Sequence, residues 1–178
     1  AAGAGAVAAA AAALRLPLVQ ISTDYVFDGA LSRPWREDDA TGPLGVYGRS
    51  KLAGEQAVAA AGDNHAILRT AWVHSPYGGN FVKTMLRLAE SREELGIVAD
   101  QLGTPTYAPA LADAVIAIAR RLAAEPRDAG LRGVFHVAGS GETSWAGLAE
   151  AIFAASARLG GPSARVRPIA TAEYPTPA

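Results

Sequence analysis

Two strand-like segments separated by a helix constrain the fold of this chain more than any other feature. Residues 18–22 form a short apolar strand, and residues 65–73 form a second strand. Between them, residues 46–61 have the composition of a helix, with Gly62 as its stop signal. Short apolar strands are typical of a parallel sheet that is covered on both faces. The order helix, strand, loop, helix, strand therefore predicts an α/β, doubly wound fold.

The remaining elements extend this alternation without an internal repeat. The spacing predicts helices over residues 6–14, 81–91, 110–124 and 143–159, and strands over 97–99, 133–138 and 166–170. Residues 28–45 form a loop rich in glycine, proline and acidic residues. We expect the sheet domain to contain residues 1–76 and 108–138, and a smaller lobe to contain residues 77–107 and 139–178.

Composition excludes several classes of function. The chain has 178 residues, enough for one domain with a small lobe, and a formal net charge of −1. Such a balance favours neither nucleic acid nor a membrane surface as a partner. The absence of cysteine excludes a disulfide framework and thiolate chemistry, and is consistent with a cytoplasmic location. No apolar run reaches the length of a membrane-spanning helix.

The candidate chemistry lies in two neighbouring segments. Ser22-Thr23 falls at the carboxyl end of the first strand, where open α/β sheets bind ligands. Tyr47 and Lys51 stand one helical turn apart, so their side chains share a face of the helix. A hydroxyl, a phenol and an ammonium that converge suit proton delivery to a carbonyl oxygen while a hydride reaches the carbonyl carbon.

The motifs around these residues resemble a known enzyme group. They are Ser-Thr-Asp-Tyr-Val-Phe-Asp-Gly, Tyr-Gly-x-x-Lys, Asn-Phe-x-x-x-Met-Leu, Asp-Gln-x-Gly-x-Pro-Thr and a terminal Tyr-Pro-Thr-Pro-Ala. Together they resemble the extended short-chain dehydrogenase/reductase superfamily, and within it the dTDP-4-dehydrorhamnose reductases. The resemblance implies a Rossmann-like fold, of which the chain holds the later part, and a substrate-binding lobe. It also implies NADPH-dependent reduction of the 4-keto group of dTDP-4-dehydro-L-rhamnose to dTDP-L-rhamnose, a precursor of surface polysaccharide.

The resemblance also assigns roles to residues. Thr23, Tyr47 and Lys51 would be catalytic, with Tyr47 as the proton donor. Cofactor contacts would come from Ser22, Tyr47, Lys51 and Thr70, and substrate contacts from Asp24, Tyr25, Trp72, Asn80 and Gln101. The cofactor would be NADPH, with NADH as an alternative. Pro109 stands where some of these reductases carry a glutamate linked to magnesium, so no metal is expected.

Some alternatives stay open. Another nucleotide-sugar epimerase or dehydratase would use the same tyrosine and lysine. A non-catalytic regulatory subunit like that of methionine adenosyltransferase has a similar Tyr-Gly-x-x-Lys segment.

Single residues also have alternative interpretations. Trp72 could belong to the core, and Asn80 could serve only as a helix cap. Glu37, Asp38 and Asp39 are more typical of a solvated loop than of a site. The oligomeric state is open, with a homodimer as one expectation.

The sequence contains no glycine-rich phosphate-binding turn after a strand. We therefore expect a preceding segment of roughly 60–90 residues that contains this turn, since each βαβ unit needs about 30 residues. We also expect a following segment, and we expect the 178-residue chain alone to be inactive.

Overall fold

The computed structural model describes residues 1–126 and 128–174. Its α-helices are α1 (Ala2–Ala13), α2 (Val46–Ala61), α3 (Phe81–Ala89), α4 (Ala108–Ala124) and α5 (Trp145–Arg158). Its strands are β1 (Leu18–Thr23), β2 (His65–Thr70), β3 (Val73–His74), β4 (Glu94–Val98), β5 (Leu102–Gly103), β6 (Thr106–Tyr107), β7 (Gly133–His136), β8 (Thr143–Ser144) and β9 (Arg165–Ile169). Most of the terminal Tyr-Pro-Thr-Pro-Ala motif lies outside the described residues.

The described chain divides into two compact units. Unit 1 contains residues 1–70 and 110–138, and unit 2 contains residues 71–109 and 139–174. The assignment of a dinucleotide-binding role to one and a substrate-binding role to the other stays a prediction.

Unit 1 is built on a parallel sheet with the strand order β1-β2-β7. Ile67 in β2 packs with Ala8 of α1 and Val58 of α2 on one face of the sheet. Its neighbours Ala66 and Leu68 pack with Leu122 of α4 on the opposite face. Because successive side chains of a strand alternate between faces, an apolar β2 supplies both cores. The expected α/β architecture with a parallel, doubly covered sheet is confirmed.

Unit 2 has its own core between two helices and a second parallel strand pair. Strands β4 and β9 pair in parallel, and Leu95 and Ile97 pack with Met85 of α3 and Phe153 of α5. Two short pairs complete the unit, β3 with β6 in parallel and β5 with β8 antiparallel.

The structure corrects several predicted boundaries. Strand β2 ends at Thr70 rather than at residue 73, because Trp72 has φ = 47° and leaves the extended conformation. The predicted helix over 143–159 begins only at Trp145, after the strand Thr143–Ser144. The predicted strand over 97–99 instead spans Glu94–Val98, where its pairing with β9 ends.

Candidate active site

Helix α2 lies against the carboxyl end of β1 through a glycine. A Cβ atom placed on Gly48 would stand 2.1 Å from the carbonyl oxygen of Tyr25 and 2.9 Å from Cβ of Pro43. Only glycine allows the helix to approach the backbone after β1 this closely. The close approach sets the position of the neighbouring Tyr47.

Tyr47 and Lys51 both reach the end of β1 from this helix. Nζ of Lys51 donates a hydrogen bond to the carbonyl oxygen of Ile21 at 2.7 Å, which leaves two N–H groups of the ammonium for other partners. The ring of Tyr47 meets the ring of Tyr25 edge to face, with centroids 5.8 Å apart. Tyr47 is exposed, so its hydroxyl is accessible to a ligand at this edge of the sheet.

Thr23 is buried at the last position of β1, and its hydroxyl has two local partners. The hydroxyl accepts a hydrogen bond from the backbone N–H of Tyr25 at 3.2 Å and donates to Oδ1 of Asp24 at 3.0 Å. It thereby caps the 3₁₀ turn Asp24–Val26 that follows the strand. To donate to a substrate oxygen, this hydroxyl would have to turn its hydrogen away from Asp24.

Burial shifts the acid groups beside Thr23. Burial raises the pKa of Asp24 above its ordinary value, and the hydrogen bond from Thr23 partly opposes that rise. Partial burial also raises the pKa of Tyr25, and the nearby Asp24 carboxylate adds to the effect. Tyr25 therefore stays a neutral phenol at physiological pH.

Sequence reasoning missed a buried ion pair beside these residues. Glu55 of α2 and Arg69 of β2 are 4% and 6% exposed, and they form a bidentate pair at 2.8 and 3.1 Å. The hydroxyl of Ser22 donates to the same Glu55 carboxylate. A cofactor contact by Ser22 would therefore come from its backbone, or would need this hydroxyl to leave Glu55. A charged residue inside a strand as apolar as β2 signals that it needs a buried partner.

Thr70 offers a test of whether a nicotinamide cofactor fits this edge. It is 6% exposed, it lies opposite Thr23 in the parallel register, and its hydroxyl has no hydrogen-bond partner among the described residues. Buried hydroxyls are normally paired, so an unpaired one at the carboxyl end of a parallel strand fits a polar ligand group. The donor set of Thr70, Tyr47 and Lys51 therefore fits the expected cofactor.

The acidic loop between β1 and α2 is exposed at Glu37 and Asp38, and two of its carboxylates also anchor it. The carboxylate of Glu37 accepts a hydrogen bond from the backbone N–H of His136 at 2.9 Å, and this bond lowers the pKa of Glu37. Asp39 accepts two hydrogen bonds from Arg33 at 2.7 Å, and these lower the pKa of Asp39. Trp35 stacks on Phe27 with ring centroids 4.4 Å apart.

The predicted substrate residues of unit 2 form a separate set of contacts. Trp72 stacks on Trp145 with ring centroids 3.6 Å apart and planes 12° apart. Its indole also covers Gly103, where a Cβ would lie 2.5 Å from a ring carbon. Trp72 is half-buried in this stack rather than part of the core of α3 and α5.

The side-chain amides of Gln101 and Asn80 both form hydrogen bonds with other residues of unit 2. Gln101 accepts a hydrogen bond from Nε1 of Trp145 at 3.2 Å and donates to the hydroxyl of Thr171 at 3.1 Å. Asn80 caps α3 through the backbone N–H of Lys83 and donates to the carbonyl oxygen of Ser75. Direct contact of either amide with a sugar stays a prediction.

The part of the chain that the structure describes lacks both a metal cluster and a membrane-spanning helix. Among residues 1–126 and 128–174, no group of three histidines, cysteines or acids is arranged to hold a metal ion. In the same part of the chain, no helix is long and apolar enough to cross a membrane.

A parallel α/β sheet whose strands end in polar side chains at one edge is typical of Rossmann-like folds, and in this chain a Tyr-x-x-x-Lys helix packs at that edge. Comparison with known families identifies the family. The family model described as the RmlD substrate binding domain matches residues 1–178, and the chain belongs to that family.

The relatives are longer than this chain. A dTDP-4-dehydrorhamnose reductase from Sinorhizobium fredii is 56% identical over 176 residues, which are 99% of this chain and 59% of the relative. A crystal structure of dTDP-4-dehydrorhamnose reductase from Bacillus anthracis in complex with NADP is 38% identical with a TM-score of 0.90. It covers 100% of this chain and 59% of the solved chain. A second such reductase, from Clostridium acetobutylicum, is 41% identical with a TM-score of 0.88 over 99% of this chain and 58% of its own.

Proposed function

We propose that this chain carries the proton-delivery and substrate-binding part of an NADPH-dependent reductase. The enzyme reduces the 4-keto group of dTDP-4-dehydro-L-rhamnose to give dTDP-L-rhamnose. The observation that carries the proposal is the docking of α2 on β1, which brings the exposed Tyr47 and the Lys51 ammonium to the strand end where Thr23 lies. The names of the S. fredii and B. anthracis relatives support the substrate, and the NADP in the second supports the cofactor.

Each of the three residues has one task. Thr23 holds the carbonyl oxygen of the sugar by a hydrogen bond once its hydrogen turns from Asp24. Tyr47 donates its phenolic proton to that oxygen as the carbonyl carbon is reduced. Lys51 is fixed by Ile21, and its ammonium charge favours the phenolate that Tyr47 becomes.

The cofactor, when bound, supplies a hydride to the carbonyl carbon. Lys51 would hold it through the N–H groups that Ile21 leaves free, and the Thr70 hydroxyl, unpaired among the described residues, would offer it a second contact. The overall change consumes one hydride and one proton, and converts a C=O group into a CH–OH group. A nucleotide cofactor and a nucleotide sugar are cytoplasmic metabolites, which agrees with a cytoplasmic enzyme.

Turnover is best tested in a grafted reductase. Here residues 1–178 replace the matching segment of the S. fredii relative, with which 99% of this chain aligns. We expect the grafted reductase to oxidise NADPH in the presence of dTDP-4-dehydro-L-rhamnose and not in its absence, as followed at 340 nm. Sugar conversion without net NADPH oxidation would favour an epimerase or dehydratase. A folded graft that leaves both compounds unchanged would favour a regulatory role.

The isolated 178-residue chain provides a second test. It contains no glycine-rich phosphate-binding turn, so we expect it to bind NADPH more weakly than micromolar. A fluorescence titration of the isolated chain with NADPH measures this, and micromolar affinity would contradict the expectation.

A further inference from the structure

A buried charged cluster adjoins the residues proposed for catalysis on β1, β2 and α2. It consists of Ser22, Glu55 and Arg69, and we call it the buried cluster. Arg69 donates to both oxygens of the Glu55 carboxylate, at 3.1 Å from Nε and 2.8 Å from Nη2, and Ser22 donates to one of them. A buried ion pair is a weak source of stability, because the cost of desolvating both charges offsets their attraction. Stability alone therefore does not explain why Glu55 and Arg69 form a buried, bidentate pair at this position.

Each member of the buried cluster neighbours a residue of the proposed site. Ser22 precedes Thr23 in β1, and Arg69 precedes Thr70 in β2. Ser22 and Arg69 are also partners in the parallel register. Glu55 follows Lys51 by one helical turn and Tyr47 by two, so all three side chains lie on one face of α2.

Helix α2 therefore meets the end of β1 at three successive points. Gly48 touches the backbone of Tyr25, Lys51 bonds the carbonyl of Ile21, and Glu55 bonds the hydroxyl of Ser22. The third contact lies two turns beyond Tyr47 and is buried, so it joins the helix to β1 at a point farther along its axis than the first two.

Arg69 extends the cluster to the loop between β1 and α2. Its Nη1 donates to the carbonyl oxygen of Glu37 at 3.4 Å, and its guanidinium lies 5.0 Å above the ring of Phe27. Glu37 in turn holds the backbone of His136 through its carboxylate. One buried guanidinium thus contacts α2 and the loop that joins α2 to β1.

We propose that Glu55 and Arg69 are positioning residues for the reaction. They do not touch the substrate, but they fix the distance between Tyr47 and Lys51 on α2 and Thr23 on β1. This inference rests on the proposed function. Displacement of a catalytic group by about 1 Å can lower turnover on the order of 100-fold.

The test separates positioning from stability with a paired substitution in the grafted reductase. Replacing a buried ion pair by apolar residues of similar volume is often neutral or stabilising. We therefore expect Glu55→Met/Arg69→Met to keep a melting temperature close to that of the parent. We expect its kcat to fall about 30-fold while KM changes less than about threefold, because the helix has lost its third contact with β1.

A kinetic isotope effect supplies a readout that loss of folded protein would not change. With NADPH deuterated at the transferred position, we expect the primary isotope effect on kcat to rise in the double variant, because the chemical step becomes more rate-limiting. The matched control is Arg121→Met/Glu125→Met, which removes an exposed pair on and just after α4. We expect this control to leave kcat, KM and the isotope effect unchanged.

Arg69→Lys keeps the charge and serves as the second variant if the double variant does not fold. It loses the bidentate geometry and the bond to Glu37, so we expect kcat to fall about 10-fold with an increased isotope effect. Parental kcat and isotope effect in either folded variant would overturn the positioning role. A grafted parent that oxidises no NADPH with the sugar would instead overturn the proposed function.

Discussion

The two units hold their predicted site residues by different physical means. In unit 1, Thr23, Tyr47 and Lys51 lie on β1 and α2, which are joined through a buried ion pair whose members are at most 6% exposed. In unit 2, Trp72 is held by a stacked indole, and that indole is held by the exposed amide of Gln101. A buried ionic cluster tolerates one arrangement, because an unpaired buried charge is costly. A half-buried stack with exposed amide contacts can adjust at small cost, and this suits recognition more than proton transfer.

The largest expected effect comes from the proton donor. Tyr47→Phe keeps the ring that meets Tyr25 and removes only the hydroxyl. We expect kcat of the grafted reductase to fall about 1,000-fold, within the range of a positioned acid–base group. The control is Tyr77→Phe, at an exposed tyrosine of unit 2, which should leave kcat within about twofold. Turnover of the Tyr47→Phe variant near that of the parent would remove Tyr47 from the mechanism.

Lys51→Arg should cost about 100-fold in kcat. The ammonium is a compact donor that reaches Ile21 at 2.7 Å and retains two N–H groups, whereas the planar, forked guanidinium cannot satisfy the same partners. The matched control is Lys83→Arg in α3, whose ammonium bonds the carbonyl of Pro76 at an exposed position. Near-normal kcat in the Lys51→Arg variant would reduce Lys51 to a simple contact between α2 and β1.

Gly48→Ala should lower the stability of unit 1 by about 1–3 kcal/mol, the usual cost of overpacking a close contact. The added Cβ would meet a backbone oxygen at 2.1 Å, which cannot yield without moving α2. Gly54→Ala is the control in the same helix. Its Cβ would meet Ala4 at 3.6 Å, an ordinary distance, and the helix should gain about 0.5–1 kcal/mol. Urea unfolding measures both, and equal effects would contradict the close approach.

Trp145→Ala in unit 2 should act on substrate binding and not on turnover. The stack on Trp72 is worth about 0.5–1.5 kcal/mol beyond buried area, so we expect KM for the sugar nucleotide to rise about 3–10-fold. Trp145→Phe keeps a stacking ring and should restore most of the loss. A fall in kcat with unchanged KM would show that unit 2 contributes to the chemistry.

The smallest expected effect is a difference in pH dependence between Asp24 and Asp100. Burial raises the pKa of Asp24, so its contribution to stability is present at low pH and is lost as the pH rises through the raised value. Hydrogen bonds from Thr171 lower the pKa of Asp100, so its contribution is present at higher pH and is lost as the pH falls through the lowered value. Carbon-13 titration of the two carboxyl groups should show displacements of opposite sign about the ordinary value near 4. Displacements of the same sign would contradict the contrast.

Local patterns were sufficient to predict part of the molecule. Helix α2 spans Val46–Ala61 as expected, since Gly45 and Gly62 flank a segment rich in alanine and other good helix formers, despite Gly48 and Gly54. The start of β1 at Leu18 and the end of α4 at Ala124 also follow from local sequence. The positive φ of Trp72 has no such signal, because it is imposed by packing rather than by a glycine or asparagine.

The sequence indicates that unit 1 contains a buried charge, but it does not identify the partners of that charge. Arg69 inside an apolar strand indicates a buried charge that needs a partner. The sequence alone does not choose Glu55 among the many acids, because the pairing depends on how α2 packs on the sheet. The stack of Trp72 on Trp145 joins residues far apart in the chain, so it too depends on packing that local sequence does not show.

The central claim, that Tyr47 delivers a proton to the 4-keto oxygen as a hydride reaches C4, is tested most directly by the position of an isotope label. The grafted reductase is incubated with dTDP-4-dehydro-L-rhamnose and NADPH deuterated at the transferred position, and the sugar product is analysed by NMR and mass spectrometry. The account predicts one deuterium at C4 of the sugar for each NADPH consumed, and loss of this product in the Tyr47→Phe variant. Deuterium at another carbon, or sugar conversion without net consumption of NADPH, would contradict it.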